Sequence, residues 1–409
     1  MNIQPTSCNN FKGYDARYLR GFLMSANCYG IADEMYKIGQ EEGFRIYSPF
    51  GGLLENKCDE IVPPYTTNGN LWAQDYWTIV KDKLLTLKET DPFSSILKFF
   101  NLRYDITEKC TRETPRFMQI NQDIFGMFAD IARQNPEDIK ERFIAQKDEL
   151  NSLYHKAHIP GGNLFIVKDG KQDSVFVGKN ELAKYDIEDI QAMYGVDKVI
   201  VLPQMDYHLD LFIRPLDNKR ILLADDKISV ETLYKGLDKL KAYITMNPFE
   251  DTQKYKEAYN TMLKFIRIFE AEITLNNRAQ TDEIEKILSD NDFEVIRVPG
   301  RIYETEPNSD GDNFLKQYCN FINANALKNR FSELVYITNK SNIDERLGLT
   351  PEMAETIGFS FEKEFINSIS PYVNPEHIYF VDGDKNFISK IMLTEYQGGI
   401  HCTCSEVPL

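Results

Sequence analysis
Three times along this chain a helix-forming segment runs into a short apolar strand, and that order does most to limit the fold. Residues 186–203 read DIEDIQAMYGVDKVIVLP, and residues 281–300 read TDEIEKILSDNDFEVIRVPG. PEMAETIGFSFEKEFINSI at 351–369 is followed by PEHIYFVDG at 375–383. Further β-rich pieces, bounded by Gly, Pro or Asp-Gly turns, are NLFIVKDG from Asn163, SVFVG from Ser174, LDLFIRPL from Leu209, RILLAD from Arg220 and LVYITN from Leu334. The pattern predicts an α/β fold built from several similar units, although no repeat is visible letter by letter. Residues 120–157 read as two helices broken at Asn135-Pro136, with Pro136, Glu137 and Asp138 suited to a first helical turn. Residues 229–275 read as a second helical stretch, with Pro248 opening its latter half.

The chain has 409 residues, enough to bury a core, and no linker or low-complexity tract. We expect a single domain over 1–409, with helical insertions at 81–158 and 229–275. With 63 acidic and 47 basic residues the formal net charge is −16, which weighs against a nucleic-acid backbone or an anionic membrane as partner. No apolar run approaches the roughly 18 residues needed to span a bilayer. No signal-peptide core is visible near Met1, so a cytoplasmic location is expected. The 7 cysteines are odd in number and scattered, which fits free thiols in a reducing compartment better than a disulfide framework.

There is no phosphate loop, no GxGxxG, no HExxH and no CxxC pair. Asp310-Gly311-Asp312 and Asp382-Gly383-Asp384 read as turns, not calcium loops, and no metal or cofactor is expected. Four places could carry chemistry. In LWAQDYW both tryptophans of the chain, Trp72 and Trp77, flank Asp75; a plain aromatic strand with a solvated acid would look the same. Pro160-Gly161-Gly162-Asn163 leads into an apolar strand; it is a turn, or a place where backbone approaches a ligand. In YHLDLFIRP a strand would put His208, Asp210 and Phe212 on one face and Leu209, Leu211 and Ile213 on the other. Inward-facing polar residues need a reason, which a structural ion pair would also supply. Last, Gly398-Gly399-Ile400-His401-Cys402-Thr403-Cys404 places a cysteine near the chain end; a buried inert thiol or a Cys-x-Cys pair are the competing readings.

In this order the four segments resemble the guanidino-modifying enzymes of the pentein superfamily. WAQDYW resembles the Trp-x-(Gln/Arg)-Asp motif of peptidylarginine and agmatine deiminases, and PGGNLFIV is similar to their glycine-led strand. YHLDLFIRPL resembles their His-x-Asp segment and GGIHCTCSEVP their terminal His-Cys segment. VIRVPGRIYE and YCNFINANAL, with the asparagine near Asn320, also match. The chain departs from the agmatine branch at Pro160, where that branch has an acid, and the helical insertions match nothing in the pattern.

The resemblance implies a pentein α/β propeller of five ββαβ units around a pseudo-fivefold axis, with the site at its centre. It implies a cysteine-dependent deiminase that turns a guanidino group into a ureido product and ammonia. The substrate would be peptidyl-arginine, or a small guanidine such as agmatine. Cys402 would be the nucleophile, His208 the acid and base, and Asp75 and Asp210 the carboxylates that grip the cation. Trp72, Gly162, Asn163 and Gly399 would line the substrate site. His401, on the opposite side of a continuing strand, would be structural, and Cys404 would share the face of Cys402. The same scaffold could host an amidinotransferase or a binding module without catalysis; a cysteine hydrolase using only Cys402 and His208 stands outside that family.

Overall fold
The computed structural model describes residues 18–24, 28–48, 60–61, 73–80, 83–86, 159–169, 172–248, 252–276, 278–307 and 313–408. Strand β1 (Leu19–Met24) is followed by helix α1 (Tyr29–Glu42), β2 (Arg45–Ser48) and β3 (Glu60–Ile61). A single turn of helix, α2 (Ala73–Tyr76), leads into a hairpin of β4 (Trp77–Val80) and β5 (Lys83–Thr86). Next come β6 (Leu164–Asp169), β7 (Gln172–Gly178), α3 (Ile187–Tyr194) and β8 (Lys198–Leu202). Then follow β9 (Ile213–Pro215), β10 (Arg220–Ala224), the helices α4 (Asp226–Met246), α5 (Gln253–Asn276) and α6 (Arg278–Asp290), and β11 (Glu294–Val298). A further hairpin, β12 (Arg301–Pro307) with β13 (Asn313–Asn320), precedes β14 (Asn325–Lys328) and β15 (Leu334–Asn339). The chain continues through α7 (Ile343–Arg346), α8 (Pro351–Ile357) and α9 (Phe361–Ile369) to β16 (Ile378–Val381) and β17 (Cys404–Pro408).

This is a mixed α/β fold of small sheets, and four of the sheets share one wiring. In β6-β7-β8, β9-β10-β11 and β14-β15-β16 the first two strands pair antiparallel, and a helical crossover then returns a third strand parallel to the second. The fourth sheet repeats this with its first strand taken from the other end of the chain: β17 pairs antiparallel with β1, and α1 connects β1 to the parallel β2. A parallel neighbour requires a crossover of about a dozen residues, which a helix supplies. The helix-then-strand order in the sequence is therefore the second half of each unit. Its fourth instance, α1 into β2, carries no such legible signature.

Local chemistry sets the helix starts. Asp225 accepts from the Lys227 and Ile228 amides at the head of α4, Thr350 from Met353 at α8, and Ser360 from Lys363 at α9. Pro351 occupies the first turn of α8, where its missing N–H costs nothing. Among the described residues the largest core cluster joins the β6–β8, β9–β11 and β14–β16 sheets to the helices covering them, and includes Leu222, Leu233, Phe269, Phe321 and Phe365. Phe321 and Phe365 have ring centroids 4.8 Å apart. Side chains of this size contribute about 1.5–3 kcal/mol each when fully buried.

Two expectations change. The strand expected from His208 onward is a 3-10 turn over Leu209–Leu211, closed by the Phe212 amide on the Leu209 carbonyl at 3.0 Å, and only Ile213–Pro215 is strand. The helical stretch expected over 229–275 runs from 226 to 290 as three helices; Pro248 lies in the break between α4 and α5, not at the start of α5. Of the insertion expected at 81–158, Lys83–Thr86 is the second strand of a hairpin, and most of the remainder, including the two helices expected over 120–157, lies outside the described residues. No helix among the described residues is long and apolar enough to cross a membrane.

Candidate active site
Five segments far apart in sequence occupy one equivalent place in the fold. Gln74 in α2 precedes β4, Gly161–Asn163 precede β6, Leu209–Leu211 precede β9, 321–324 precede β14, and 400–403 precede β17. Each is a turn or a short helical turn immediately ahead of the first strand of an antiparallel pair. Hydrogen bonds tie these entry turns to one another. The Gln74 amide donates to the Cys402 carbonyl at 3.3 Å, and Gln74 Nε2 to the Gly161 carbonyl at 3.0 Å. The Leu209 amide donates to Asn163 Oδ1 at 3.1 Å, and Asn320 Nδ2 to the Leu211 carbonyl at 3.1 Å. The His401 amide donates to Asn323 Oδ1 at 3.1 Å.

Asp210 stands at the meeting point and is fully buried. Its Oδ2 accepts from His401 Nδ1 at 2.8 Å, Asn323 Nδ2 at 3.0 Å and the Cys402 thiol at 3.3 Å. Its Oδ1 is buried and has no hydrogen-bond partner. A carboxylate oxygen left bare in the interior is costly unless something occupies it in the working state. Asn323 Nδ2 also reaches Cys402 Sγ at 3.2 Å, so one amide touches both the sulfur and the carboxylate. Burial alone would raise the Asp210 pKa. The hydrogen bond from His401, with the nearby Arg214 guanidinium, outweighs it and holds the carboxyl below its usual range.

The hydrogen bonds settle the protonation of His401. Gln74 Nε2 lies 2.9 Å from His401 Nε2, and the same nitrogen donates to the Gly161 carbonyl, so it is a donor to both. His401 Nε2 is therefore an acceptor, Nδ1 carries the proton toward Asp210, and the ring is neutral. Burial and the nearby Arg214 charge push the same way, taking the His401 pKa down to about 4 against the opposing pull of Asp210. The Arg214 guanidinium, itself fully buried, lies 4.6 Å over the Phe165 ring, which packs 5.6 Å from the His401 ring.

His208 approaches from the Gly162 side. A Cβ on Gly162 would fall 2.3 Å from His208 Nδ1 and 3.1 Å from Asp210 Oδ1, so the imidazole and the bare oxygen flank one point that only glycine leaves open. His208 and Asp210 both border this point, through a 3-10 turn in place of strand alternation. Asn163, expected to touch substrate, spends its whole amide internally. Its Nδ2 donates to Glu181 Oε1 and the Tyr207 carbonyl, and its Oδ1 accepts from Leu209 N and Gln204 Nε2. Gly399, expected in the same role, backs onto the asparagine network: its Cβ would sit 2.5 Å from the Asn339 head group and 2.7 Å from Asn323 Oδ1. Tyr207 caps this side, its hydroxyl donating to the Gln397 carbonyl.

Asp75 lies in α2, but its side chain lies outside the described residues, as does Trp72 altogether. The structure gives His401 a different place from the one strand alternation assigned it. Residues 400–403 form a turn, with Cys404 N on the His401 carbonyl at 3.2 Å, so both His401 and Cys402 reach Asp210. Cys404 belongs to the apolar cluster around Phe22, Ile31 and Ile400, where burial pushes its thiol up to about 12. The sequence gives no role to Gln74 or Asn323, and to His401 only a structural one on the far side of a strand. Gln74 and His401 adjoin residues that were singled out, and Asn323 lies one turn beyond the asparagine that was.

In chemical terms the site offers a thiol, a buried carboxylate with one open oxygen and an adjacent imidazole. Gln74 Oε1 is a second buried acceptor without a partner. Among the described residues no group of three or more His, Cys, Asp or Glu side chains is arranged to hold a metal ion. No protein-family model matches the chain, and neither does any curated protein sequence. Among solved structures, an agmatine deiminase from C. jejuni aligns over 97% of this chain and 98% of its own, at 12% identity and a TM-score of 0.42.

Proposed function
We propose that the chain is a cysteine-dependent deiminase that hydrolyses a guanidino group to a ureido product and ammonia. The observation that carries this reading is the environment of Asp210: three donors occupy Oδ2, one of them the Cys402 thiol, while Oδ1 lies buried and open beside His208. A buried acceptor beside a sulfur suits a planar cation that presents N–H groups and an electrophilic carbon together. The five equivalent entry turns support a single catalytic domain, a five-unit propeller of the pentein kind, interrupted by the α4–α6 helices. Asp75, one residue after Gln74, is the second carboxylate.

In the reaction, the Asp210 and Asp75 carboxylates hold the guanidinium while Cys402 Sγ attacks its central carbon. The thiol proton passes to His208, which delivers it to the leaving nitrogen, and the C–N bond breaks to release ammonia. The remaining thiouronium, joined through the new C–S bond, is attacked by water, whose proton goes to His208. Collapse breaks the C–S bond: His208 returns its proton to the sulfur, giving back the thiol, and the hydroxyl proton passes to the released ammonia. The net change is guanidinium plus water to a ureido group plus ammonium.

Peptidyl-arginine is the preferred substrate class, because WAQD and the terminal motif resemble that branch more closely; agmatine and other small guanidines follow. The deciding test is a colorimetric ureido assay against arginine peptides, arginine, methylated arginines and agmatine, with and without calcium and with and without an amine acceptor such as glycine or ornithine. Ureido product without an acceptor supports the deiminase. Product that requires the amine makes the protein an amidinotransferase, and no product from any guanidine overturns both.

A further inference from the structure
The imidazole of His401 is clamped at both nitrogens, and nothing in the reaction above uses it. It is 1% exposed and joins two side chains from separate segments of the chain: Nε2 to Gln74 at 2.9 Å and Nδ1 to Asp210 at 2.8 Å. Its main chain is fixed as well, through Asn323 Oδ1 on its amide and Asn339 Oδ1 on that of Ile400. A ring held in this way can donate only through Nδ1, and it donates to the Asp210 oxygen that already receives Asn323 and Cys402. With three donors on Oδ2, rotation of the carboxylate would break several hydrogen bonds at once in a buried site. The carboxylate plane is therefore locked, with Oδ1 pointing away from the donors.

We infer that His401 is a positioning residue: a neutral imidazole, its tautomer set by Gln74, that fixes Asp210 so that Oδ1 alone meets an incoming cation. The geometry stands independently, but its use in gripping a guanidinium rests on the deiminase reading. Among the described residues, the other charged or titratable groups acting on this pair include His208, Arg214, Glu406 and Asp206, with the Cys402 thiol on the same oxygen. Only His401 and Cys402 of these share a hydrogen bond with Asp210 Oδ2.

The test compares His401→Phe, which keeps the ring shape and removes both nitrogens, with His401→Asn, whose amide N–H can replace the Nδ1 donor. The readout is alkylation of Cys402, measured on its peptide by mass spectrometry, with cationic 2-chloroacetamidine and neutral chloroacetamide, each normalised to a free thiol. The wild type should favour the cation. His401→Phe should lose about tenfold or more of that preference, as expected when a hydrogen bond to a charged group is removed, and His401→Asn should recover most of it. A cooperatively melting His401→Phe protein that keeps its preference within about twofold, or an Asn variant that restores nothing, overturns the inference. If His401→Phe does not fold, imidazole ¹⁵N spectra of the wild type and of Gln74→Leu decide. The wild type should show a neutral Nδ1–H ring that disappears into a tautomer mixture in Gln74→Leu; an Nε2–H or doubly protonated ring in the wild type near neutral pH overturns it. A wild type that prefers the amidine yet makes no ureido product from any guanidine would sink the deiminase reading and leave the positioning role intact.

Discussion
Cys402 Sγ lies 3.3 Å from Asp210 Oδ2 although the two residues are 192 apart in the chain. The proximity follows from the wiring. Asp210 lies in the turn before β9, Cys402 in the turn before β17, and those strands begin equivalent units. A thiol near the tail and an acid near the middle of the chain meet because each sits at the same point of a repeated substructure.

The first prediction concerns that contact. Cys402→Ala and Cys402→Ser should abolish ureido product, because no other described thiol touches the carboxylate. Asp210→Asn and His208→Ala should each lower kcat/KM at least about a hundredfold, given the charge-assisted and acid–base contributions assigned to them. Steady-state assays on the best guanidine decide this, and near-normal turnover in either variant removes that residue from its role.

The second prediction uses the open point beside Gly162. Gly162→Ala places a methyl group 2.3 Å from His208 Nδ1 and 3.1 Å from Asp210 Oδ1. Overpacking of this kind costs about 1–3 kcal/mol, and here the group pushed aside is the proposed acid and base. The variant should melt at a lower temperature and lose far more activity than stability; an active Gly162→Ala enzyme would show that His208 does not need this position.

Much of this arrangement was readable in the residues and some was not. Asp210, His208, Gly162 and Cys402 stand out because polar or glycine residues interrupt apolar strands, and such interruptions need an explanation. Period-two alternation puts His401 on the wrong face because the chain turns at 400–403: Thr403 Oγ1 donates to the Ile400 carbonyl at 2.8 Å and Cys404 N to the His401 carbonyl at 3.2 Å. The same error of period made Leu209–Leu211 a strand. Asn323 left no signal, because an asparagine that donates to two side chains from other segments looks, in the sequence, like any asparagine in a loop. The four-fold recurrence of the sheet wiring was visible only through its helix-then-strand half, since antiparallel pairing across short turns leaves little periodic trace in three- to five-residue strands.

The third prediction concerns Asn163. Its Nδ2 donates to the buried Glu181 Oε1 at 2.8 Å while its Oδ1 holds the Leu209 amide that begins the Asp210 turn. Asn163→Asp would set a carboxylate against Glu181 in a buried site and should destabilise the fold by about 3 kcal/mol or more. Asn163→Ala should lower kcat with little change in KM, because the residue shapes the turn and has no hydrogen-bonding capacity left for a ligand. A rise in KM alone would return Asn163 to the substrate-binding role.

A fourth prediction lies away from the site, where Glu42 at the end of α1 receives His377 Nδ1 and Tyr379 OH at 2.6 Å each and Asn329 Nδ2 at 2.8 Å. Burial opposes ionisation of Glu42, but these donors outweigh it and lower its pKa. Burial likewise disfavours charged His377, yet Glu42 and Glu333 outweigh that and raise its pKa above 6.5. The signs are opposite. The stability owed to His377 is complete below its unfolded value and is lost as pH rises through the raised value; that owed to Glu42 is lost as pH falls through its lowered value. Melting temperatures of wild type and His377→Gln should therefore differ most in mildly acidic buffer, at about pH 5.5, and converge by about pH 9. A difference that grows with pH would contradict the assignment.

The fifth prediction separates the thiols by their surroundings. Cys404 is buried among apolar side chains with its pKa pushed up to about 12, and burial also raises the pKa of Cys319 well above the ordinary thiol value. Both should resist alkylation in the folded protein near neutral pH, since the thiolate is the reacting form and both are shielded from solvent. Cys402 Sγ lies 3.2 Å from Asn323 Nδ2 and 3.3 Å from Asp210 Oδ2, on the carboxylate whose other oxygen has no partner. A cationic amidine reagent should therefore modify Cys402 well before Cys319 or Cys404, and a saturating guanidine should protect it. Peptide mapping by mass spectrometry reads all three at once. Equal labelling of Cys402 and Cys404, or a Cys402–Cys404 disulfide under mild oxidant, would mean that the two sulfurs share an environment and that the turn at 400–403 does not hold them apart.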